Sequence, residues 1–229
     1  MRSSRWDAQG NVYLVVDDEG LTPERVRLNV GDADGMLEVC AHGDDWVEIA
    51  IWNPDGSRAE MSGNGTRIAA RWLAERTAAR EVTVRVGPRE VRARMLDDGL
   101  VEQDMGRVHV RAAEDVAGIT VVAVDVGNPH AVVQGDPAEL PTLGPKLEVH
   151  PRFPRRTNVQ VARVIEPGVI EARVWERGAG ETASSGSSAV AIAAALGVSP
   201  ATIRFPGGDL HVRLEEGRAF LTGPASQIE

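Results

Sequence analysis

Two segments of the chain carry matching polar, small-residue patterns that could do chemistry. The first reads Trp52-Asn-Pro-Asp-Gly-Ser-Arg-Ala-Glu-Met-Ser62-Gly63-Asn64-Gly65. The second, at a constant offset of 123 from Trp52 to Trp175, reads Trp175-Glu-Arg-Gly-Ala-Gly-Glu-Thr-Ala-Ser-Ser185-Gly186-Ser187-Ser188. In each, an extended stretch ends in a Gly-rich turn, and a Ser-Gly pair then opens an Ala-rich segment, Ile68-Ala-Ala-Arg-Trp-Leu-Ala or Ala189-Val-Ala-Ile-Ala-Ala-Ala-Leu. A helix start leaves its first N–H groups unpaired at the positive end of the dipole, so two such starts suit an anion, most naturally a carboxylate. A lone Ser-Gly is an ordinary N-cap. Its repetition with matched flanks points instead to two related half-sites.

Other polar residues can furnish the rest of a pocket. Asn11, Asn53, Asn128 and Asn158 each fall at the edge of a predicted strand. One such Asn is ordinarily a turn former. Four of them, with Glu176 and Arg177 beside the second Ser-Gly, can line a pocket for a zwitterionic amino acid, with Glu176 facing its ammonium. Competing motifs fail on context. Gly178-Ala-Gly180-Glu-Thr-Ala183 imitates a dinucleotide turn but lacks parallel βαβ surroundings and a strand-end acid about 20 residues on. The five histidines are scattered without a metal-binding spacing, so no metal is expected. There is no G-x-S-x-G nucleophile elbow.

The elements that must position these groups are mostly short strands. Alternating runs predict strands at 12–16, 25–30, 46–52, 81–86, 90–95, 120–126, 158–164, 168–175, 201–205, 210–214 and 219–222. Helices are expected from Thr66 to about Ala79 and from Ala189 to Leu196, with shorter ones near 137–140 and 143–147. One helix per half, each after its Gly-rich turn, implies an α/β chain of two lobes related by a pseudo-twofold. The expected division is 1–111, completed by the last strand at 217–229, and 112–216.

Composition narrows the partners. The 229 residues are 42% hydrophobic, enough for two cores. A net charge of −9 argues against a nucleic-acid groove or an anionic membrane surface. No leader pattern and no apolar run of about 18 residues is seen, so a cytoplasmic location is expected. Cys40 is the single cysteine, which excludes intrachain disulfides and cysteine-based zinc sites; its alternating strand predicts a small core residue. Lys146 is the sole lysine, so Schiff-base chemistry would have to use it.

Read in order, Gly10-Asn11, Asp34-Gly35, Asn53-Pro-Asp-Gly-Ser57, Gly63-Asn64-Gly65-Thr-Arg67, Gly127-Asn-Pro-His130, Thr157-Asn158-Val159, Glu176-Arg177-Gly-Ala-Gly180-Glu-Thr182, Gly207-Gly208 and Leu221-Thr-Gly-Pro-Ala225 resemble diaminopimelate epimerase across nearly the whole chain. That resemblance implies two pseudosymmetric lobes, each a curled, mostly antiparallel sheet around a central helix. It implies an isomerase that uses no cofactor and interconverts LL- and meso-2,6-diaminopimelate, a precursor of lysine and peptidoglycan, by two-base proton transfer at the α-carbon. Ser62 and Ser185 would be the catalytic pair. The regions Gly63-Asn64 and Gly186-Ser187 would hold the α-carboxylate, while Asn11, Asn53, Asn128, Asn158, Glu176 and Arg177 would recognise the rest of the amino acid. The implied partner is a small amino acid, with a homodimer as the assembly to test.

The departure from that family falls on the reacting atoms, because both of its catalytic cysteine positions are serine here. A thiol ionises near pH 8.5 and a serine hydroxyl several units higher, at about 1.4 kcal/mol per unit. A helix dipole returns at most about 2 kcal/mol. A second base is therefore needed, and His130 and Glu176 are the neighbouring candidates. Ile68 after Arg67, and Ser187-Ser188 where the family has Thr-Gly, depart further. Three accounts stand open: serines that work with help from neighbours, a pair of substitutions introduced to trap substrate, and a diverged member that binds an amino acid without racemising it.

Overall fold

The computed structural model describes residues 3–17 and 20–228. The chain forms two compact units, Met1–Asp104 with Thr222–Glu229, and Met105–Leu221. The division thus lies inside a strand, ahead of the polar stretch 112–118.

In the first unit, β1 (Ser3–Asp7), β2 (Val12–Val16), α1 (Pro23–Asn29), β3 (Gly35–His42), β4 (Trp46–Trp52) and β5 (Arg58–Ala59) lead into α2 (Gly63–Thr77). Then follow β6 (Glu81–Val86), β7 (Arg89–Met95) and β8 (Leu100–Arg107). β2 runs parallel to β3, β3 antiparallel to β4, β4 parallel to β6, and β6 antiparallel to β7. In β6 the valines are buried and the polar residues between them face outward to varying degrees, the alternation of a sheet with one covered face. What covers it is α2, which packs on β4, β6 and β7. Ile68, Trp72 and Leu73 fill the core between them.

The second unit repeats this plan. β9 (His109–Val110), β10 (Glu114–Val116), β11 (Ile119–Asp125), β12 (Pro129–Gln134), α3 (Leu140–Glu148), β13 (Asn158–Glu166), β14 (Val169–Glu176) and β15 (Gly180–Thr182) precede α4 (Gly186–Leu196). β16 (Ala201–Phe205), β17 (Gly208–Glu215) and β18 (Arg218–Pro224) follow, the division falling within β18, and β19 (Ser226–Ile228) belongs to the first unit, where it pairs with β1. Again β12 and β13 are parallel, β13 and β14 antiparallel, β14 and β16 parallel, β16 and β17 antiparallel. α4 is buried from Gly186 to Ala193 among strands. Its residues are small or apolar throughout, with Val190 and Ile192 fully buried beside the run of Gly, Ser and Ala, as suits a helix without a solvent face.

Residue registers make the repeat quantitative. Trp52 pairs with Arg58 and Ile51 with Ala59; Trp175 pairs with Glu181 and Val174 with Thr182. Met36 lies opposite Trp52 as Val159 lies opposite Trp175. Tyr13 pairs with Gly35 as His130 pairs with Asn158. Tyr13 and His130 therefore hold equivalent places, as do Leu37 and Gln160.

Three expectations are corrected. The segment 25–30 is helix α1 rather than a strand. Thr22 Oγ1 accepts from Arg25 N at 3.2 Å, Pro23 opens the helix and Glu24 sits in its first turn, signals that outweigh the alternating pattern. Cys40 is exposed rather than core. A register shift between Val39 and Ala41 leaves it without a pairing partner on β4 and turns it outward. Helices α2 and α4 begin three residues earlier than expected, at the glycines that follow the two serines, and the two short helical stretches are a 3-10 turn, Pro137–Glu139, continuous with α3.

Each unit also buries a glutamate against the indole of its repeated tryptophan. Glu38 accepts from Trp52 Nε1 at 2.9 Å, from Leu21 N at 2.9 Å and from Gly20 N at 3.1 Å. Glu148 accepts from Trp175 Nε1 at 2.8 Å, from Gly178 N at 2.7 Å and from Arg156. These carboxylates tie a distant loop to the strand that leads into each turn. Replacing Glu38 by Ala leaves several buried donors unpaired, which costs about 1–3 kcal/mol or more. Glu38→Ala is expected to lower the thermal midpoint by roughly 4–12 °C, at about 4 °C per kcal/mol, measured by circular dichroism; an unchanged midpoint would remove the brace from the stability of this unit.

Candidate active site

In the first unit the site is built at the start of α2. Ser62 is the N-cap, extended at φ −143° and ψ 119°, and its Oγ accepts from Gly65 N at 3.0 Å. The Tyr13 hydroxyl lies 3.1 Å from the same Oγ. Beside it, Asn64 Nδ2 donates to Asn11 Oδ1 at 3.1 Å, and Asn64 Oδ1 accepts from Arg67 Nη2 at 3.0 Å. Arg67 is fully buried; its Nε donates to Pro224 O at 2.8 Å, and its Nη1 meets no hydrogen-bond acceptor. Burial pushes this guanidinium down to about 10, with Asp7 opposing the shift, so it stays charged at neutral pH behind the helix start. Beneath the first turn Gln103 is buried. In the amide orientation that satisfies both its atoms, it donates to Gly63 O at 3.0 Å and accepts from Thr66 Oγ1 at 2.7 Å and Arg67 N at 3.0 Å.

The remaining first-unit residue singled out from sequence, Asn53, sits in the turn between β4 and β5. Its Nδ2 donates to Ser57 Oγ at 2.9 Å and its backbone closes the turn. The structure thus joins Asn11 and Asn64 in one network with Arg67, and gives Asn53 a turn-forming partner of its own.

In the second unit Ser185 is the N-cap of α4, extended at φ −150° and ψ 124°, and makes no side-chain bond to its helix. Gly186 and Ser187 form the first turn and are buried with it. A second network holds the other expected residues. Asn158 Nδ2 donates to Pro129 O at 3.0 Å, and Asn158 Oδ1 accepts from Arg177 N at 2.9 Å. Glu176 Oε1 accepts from Thr182 Oγ1 at 2.7 Å, and Arg177 Nη1 reaches Arg155 O at 3.3 Å. Asn128 Oδ1 lies 2.9 Å from His130 Nε2, whose other ring nitrogen lies 3.0 Å from Gln160 Nε2. Gln160 also donates to Ser188 Oγ at 3.0 Å.

This second network removes His130 from the candidate bases. The Gln160 amide occupies Nδ1, which leaves Nε2–H to donate to Asn128, so neither ring nitrogen has a free lone pair. Burial pushes the imidazole down to about 3, and the positive charge of Arg177 adds to the shift. Among the described residues, neither serine hydroxyl is hydrogen-bonded to a carboxylate or an imidazole. A cavity of about 210 Å³ in this unit, bounded by Arg111, Asp125 and Phe153, touches the network at Pro129, His130 and Arg155. No group of His, Cys, Asp or Glu that could hold a metal ion occurs among the described residues. No described helix is long and apolar enough to cross a membrane.

Sequence reasoning missed Tyr13, Arg67, Gln103, Gln160 and Ser188. Two of them left a trace: Tyr13 is the only tyrosine of the chain, two residues after Asn11, and Gln160 interrupts the otherwise apolar run Val159-Gln-Val-Ala.

A helix enclosed by its sheet, repeated with the same strand order, is the fold of a group of solved epimerase and racemase structures. A predicted epimerase from Pseudomonas aeruginosa superposes with TM-score 0.79 at 16% identity, covering 100% of this chain and 97% of that one. A hydroxyproline epimerase from Agrobacterium vitis, solved with trans-4-hydroxy-L-proline bound, superposes with TM-score 0.68 at 16% identity over 99% of this chain and 88% of its own. In sequence, residues 8–110 and 122–228 match the diaminopimelate epimerase family. The chain is 35% identical to the diaminopimelate epimerase of Desulforudis audaxviator, covering 100% of this chain and 97% of that one, and 33% identical to that of Synechococcus elongatus, covering 100% and 96%. It belongs to the diaminopimelate epimerase family.

The state of His130 is open to direct measurement. Its folded-state pKa lies below the unfolded value near 6.5, so the unfolded chain takes up the extra proton first, and stability falls as pH drops from about 6.5 toward 3. NMR titration is expected to show the His130 ring neutral throughout pH 5–8. A midpoint near 6.5 would mean that the ring is neither buried nor held by Gln160 and Asn128.

Proposed function

We propose that this family member is a cofactor-independent amino-acid epimerase that interconverts LL- and meso-2,6-diaminopimelate in the cytoplasm, with Ser62 and Ser185 as the proton-transferring pair. The observation that carries this reading is the equivalence of the two serines: each caps a buried central helix, ten residues after a tryptophan in the same hairpin register. In this reading the first-turn N–H groups at Gly63-Asn64 and Gly186-Ser187 hold the α-carboxylate and stabilise the charge that develops when the α-proton leaves. One serine, as its alkoxide, takes the α-proton from one face and becomes neutral; the other gives its hydroxyl proton to the opposite face of the carbanion and is left as the alkoxide. Asn11, Asn53, Asn128, Asn158, Glu176 and Arg177 recognise the ammonium and the distal end.

A second reading, an amino-acid binder without turnover, is favoured because among the described residues no carboxylate or imidazole is bonded to either serine. Incubation of LL- and meso-diaminopimelate with the protein in deuterium oxide decides between them. Deuterium at the α-carbon is expected under the epimerase reading. Calorimetric binding with no deuterium incorporation would replace it with the binder.

Restoring thiols tests the chemistry of the pair. Ser62→Cys with Ser185→Cys is expected to raise α-proton exchange by roughly 10²-fold or more under reducing conditions, because a thiol ionises near neutral pH and a hydroxyl does not. A folded, reduced double variant that binds diaminopimelate and exchanges no faster than the parent would show that the pocket has diverged beyond these two atoms.

A further inference from the structure

The two half-sites are equivalent in topology but not in what stands behind each serine. Tyr13 on β2 and His130 on β12 hold the same register position, opposite Gly35 and Asn158 respectively. In the second unit that position is tied: His130 is bonded on both ring nitrogens, and Gln160 Nε2 donates to His130 and Ser188 while its Oε1 meets no donor. In the first unit the corresponding residues are Leu37, which offers no polar atom, and Gly65, which offers only its backbone N–H. The Tyr13 hydroxyl lies 3.1 Å from Ser62 Oγ.

The ring is placed for this contact. Gly35 has no side chain because a Cβ there would lie 2.7 Å from Tyr13 Cε1 and 2.6 Å from Trp52 O. With Tyr13 only 8% exposed, the phenol lies against β3 and delivers its oxygen to the start of α2. Gly65 N–H already occupies one lone pair of Ser62 Oγ. The hydroxyl proton and the second lone pair are left to be shared between Tyr13 and whatever lies in front of the helix.

We propose that Tyr13 and Ser62 form a proton relay in which the phenol supplies the acid and base strength that the serine hydroxyl lacks. This rests on the epimerase reading for its substrate. In the protonating direction, Ser62 gives its hydroxyl proton to the α-carbanion while Tyr13 O–H gives its proton to Ser62 Oγ. The serine ends neutral and Tyr13 ends as tyrosinate. The reverse passes the α-proton to Ser62 as the serine proton moves to tyrosinate. Atoms and charge balance at each step, and the ionisation falls on a phenol whose ordinary pKa is about 10, several units below that of a serine hydroxyl. Among the described residues Ser185 has no such partner, so the assistance is one-sided. Tyr13 acts through Ser62 and is a positioning and relay residue.

The test uses the fact that Tyr13 is the only tyrosine. Ultraviolet titration reads its ionisation alone, in the parent and in Ser62→Ala, while α-proton exchange from LL- and meso-diaminopimelate in deuterium oxide is followed against pH in the parent and in Tyr13→Phe. Loss of the serine donor is expected to raise the tyrosine midpoint by about one pH unit, since a hydroxyl hydrogen-bonds tyrosinate more strongly than the neutral phenol. Tyr13→Phe, with its ring packing kept and its thermal melt near the parent's, is expected to cut exchange about 100-fold for the stereoisomer whose α-proton faces Ser62 and to flatten its rise toward alkaline pH. An unmoved tyrosine midpoint overturns the coupled pair. A moved midpoint with unchanged exchange in Tyr13→Phe overturns its part in proton transfer. A parent protein that exchanges neither stereoisomer overturns the epimerase reading instead, and the pair then stands or falls on the titration.

Discussion

The backbone N–H groups that open α2 and α4 lack carbonyl partners within their helices, and both helices start in buried surroundings. Unpaired donors there are tolerable only if side chains, backbone or a ligand satisfy them. Much of each unit is arranged around that requirement. The strands pack around each helix, and its first turn is made of small residues and Asn64. In the first unit Ser62 satisfies one donor, at Gly65. In the second, Ser185 satisfies none, so the start of α4 is the less self-sufficient of the two.

The fold was legible where one rule governed a segment. Strands 81–86 and 201–205 were placed to the residue because their alternation faces one buried side without interference. The segment 25–30 alternates equally well, yet it folds as helix, since a capping threonine followed by proline decides the backbone before side-chain periodicity can. Cys40 was misplaced for a related reason. A single bulge shifts which face a residue occupies, and nothing in the composition of that strand marks it. Conversely, the repeat was visible because the turn and helix start demand particular small residues, and those demands are the same in both units.

The candidate site was legible to the extent that residue type reveals chemistry. The serines, the glycines after them and the asparagines declared themselves by spacing. Tyr13, Gln160 and Arg67 did not, because their importance comes from a contact made across strands or between a strand and a helix. His130 shows the opposite error. An imidazole near a proposed acid–base centre invites a catalytic role, but its surroundings satisfy both nitrogens and penalise its charge. In the structure it bridges Asn128 and Gln160.

The hairpins β4–β5 and β14–β15 carry one further consequence. From tryptophan to capping serine the chain counts the same ten residues in both units, and the hairpin register is also the same. The turn thus behaves as a ruler. Because the tryptophan is clamped by a buried carboxylate at one end and the helix is enclosed at the other, chain length alone determines which side chain arrives at the helix start. The two copies share no residue at equivalent positions between their tryptophan and serine, yet keep the same count. An insertion or deletion of one residue would present a neighbour in place of the serine, so the count of residues is under tighter constraint than their identity.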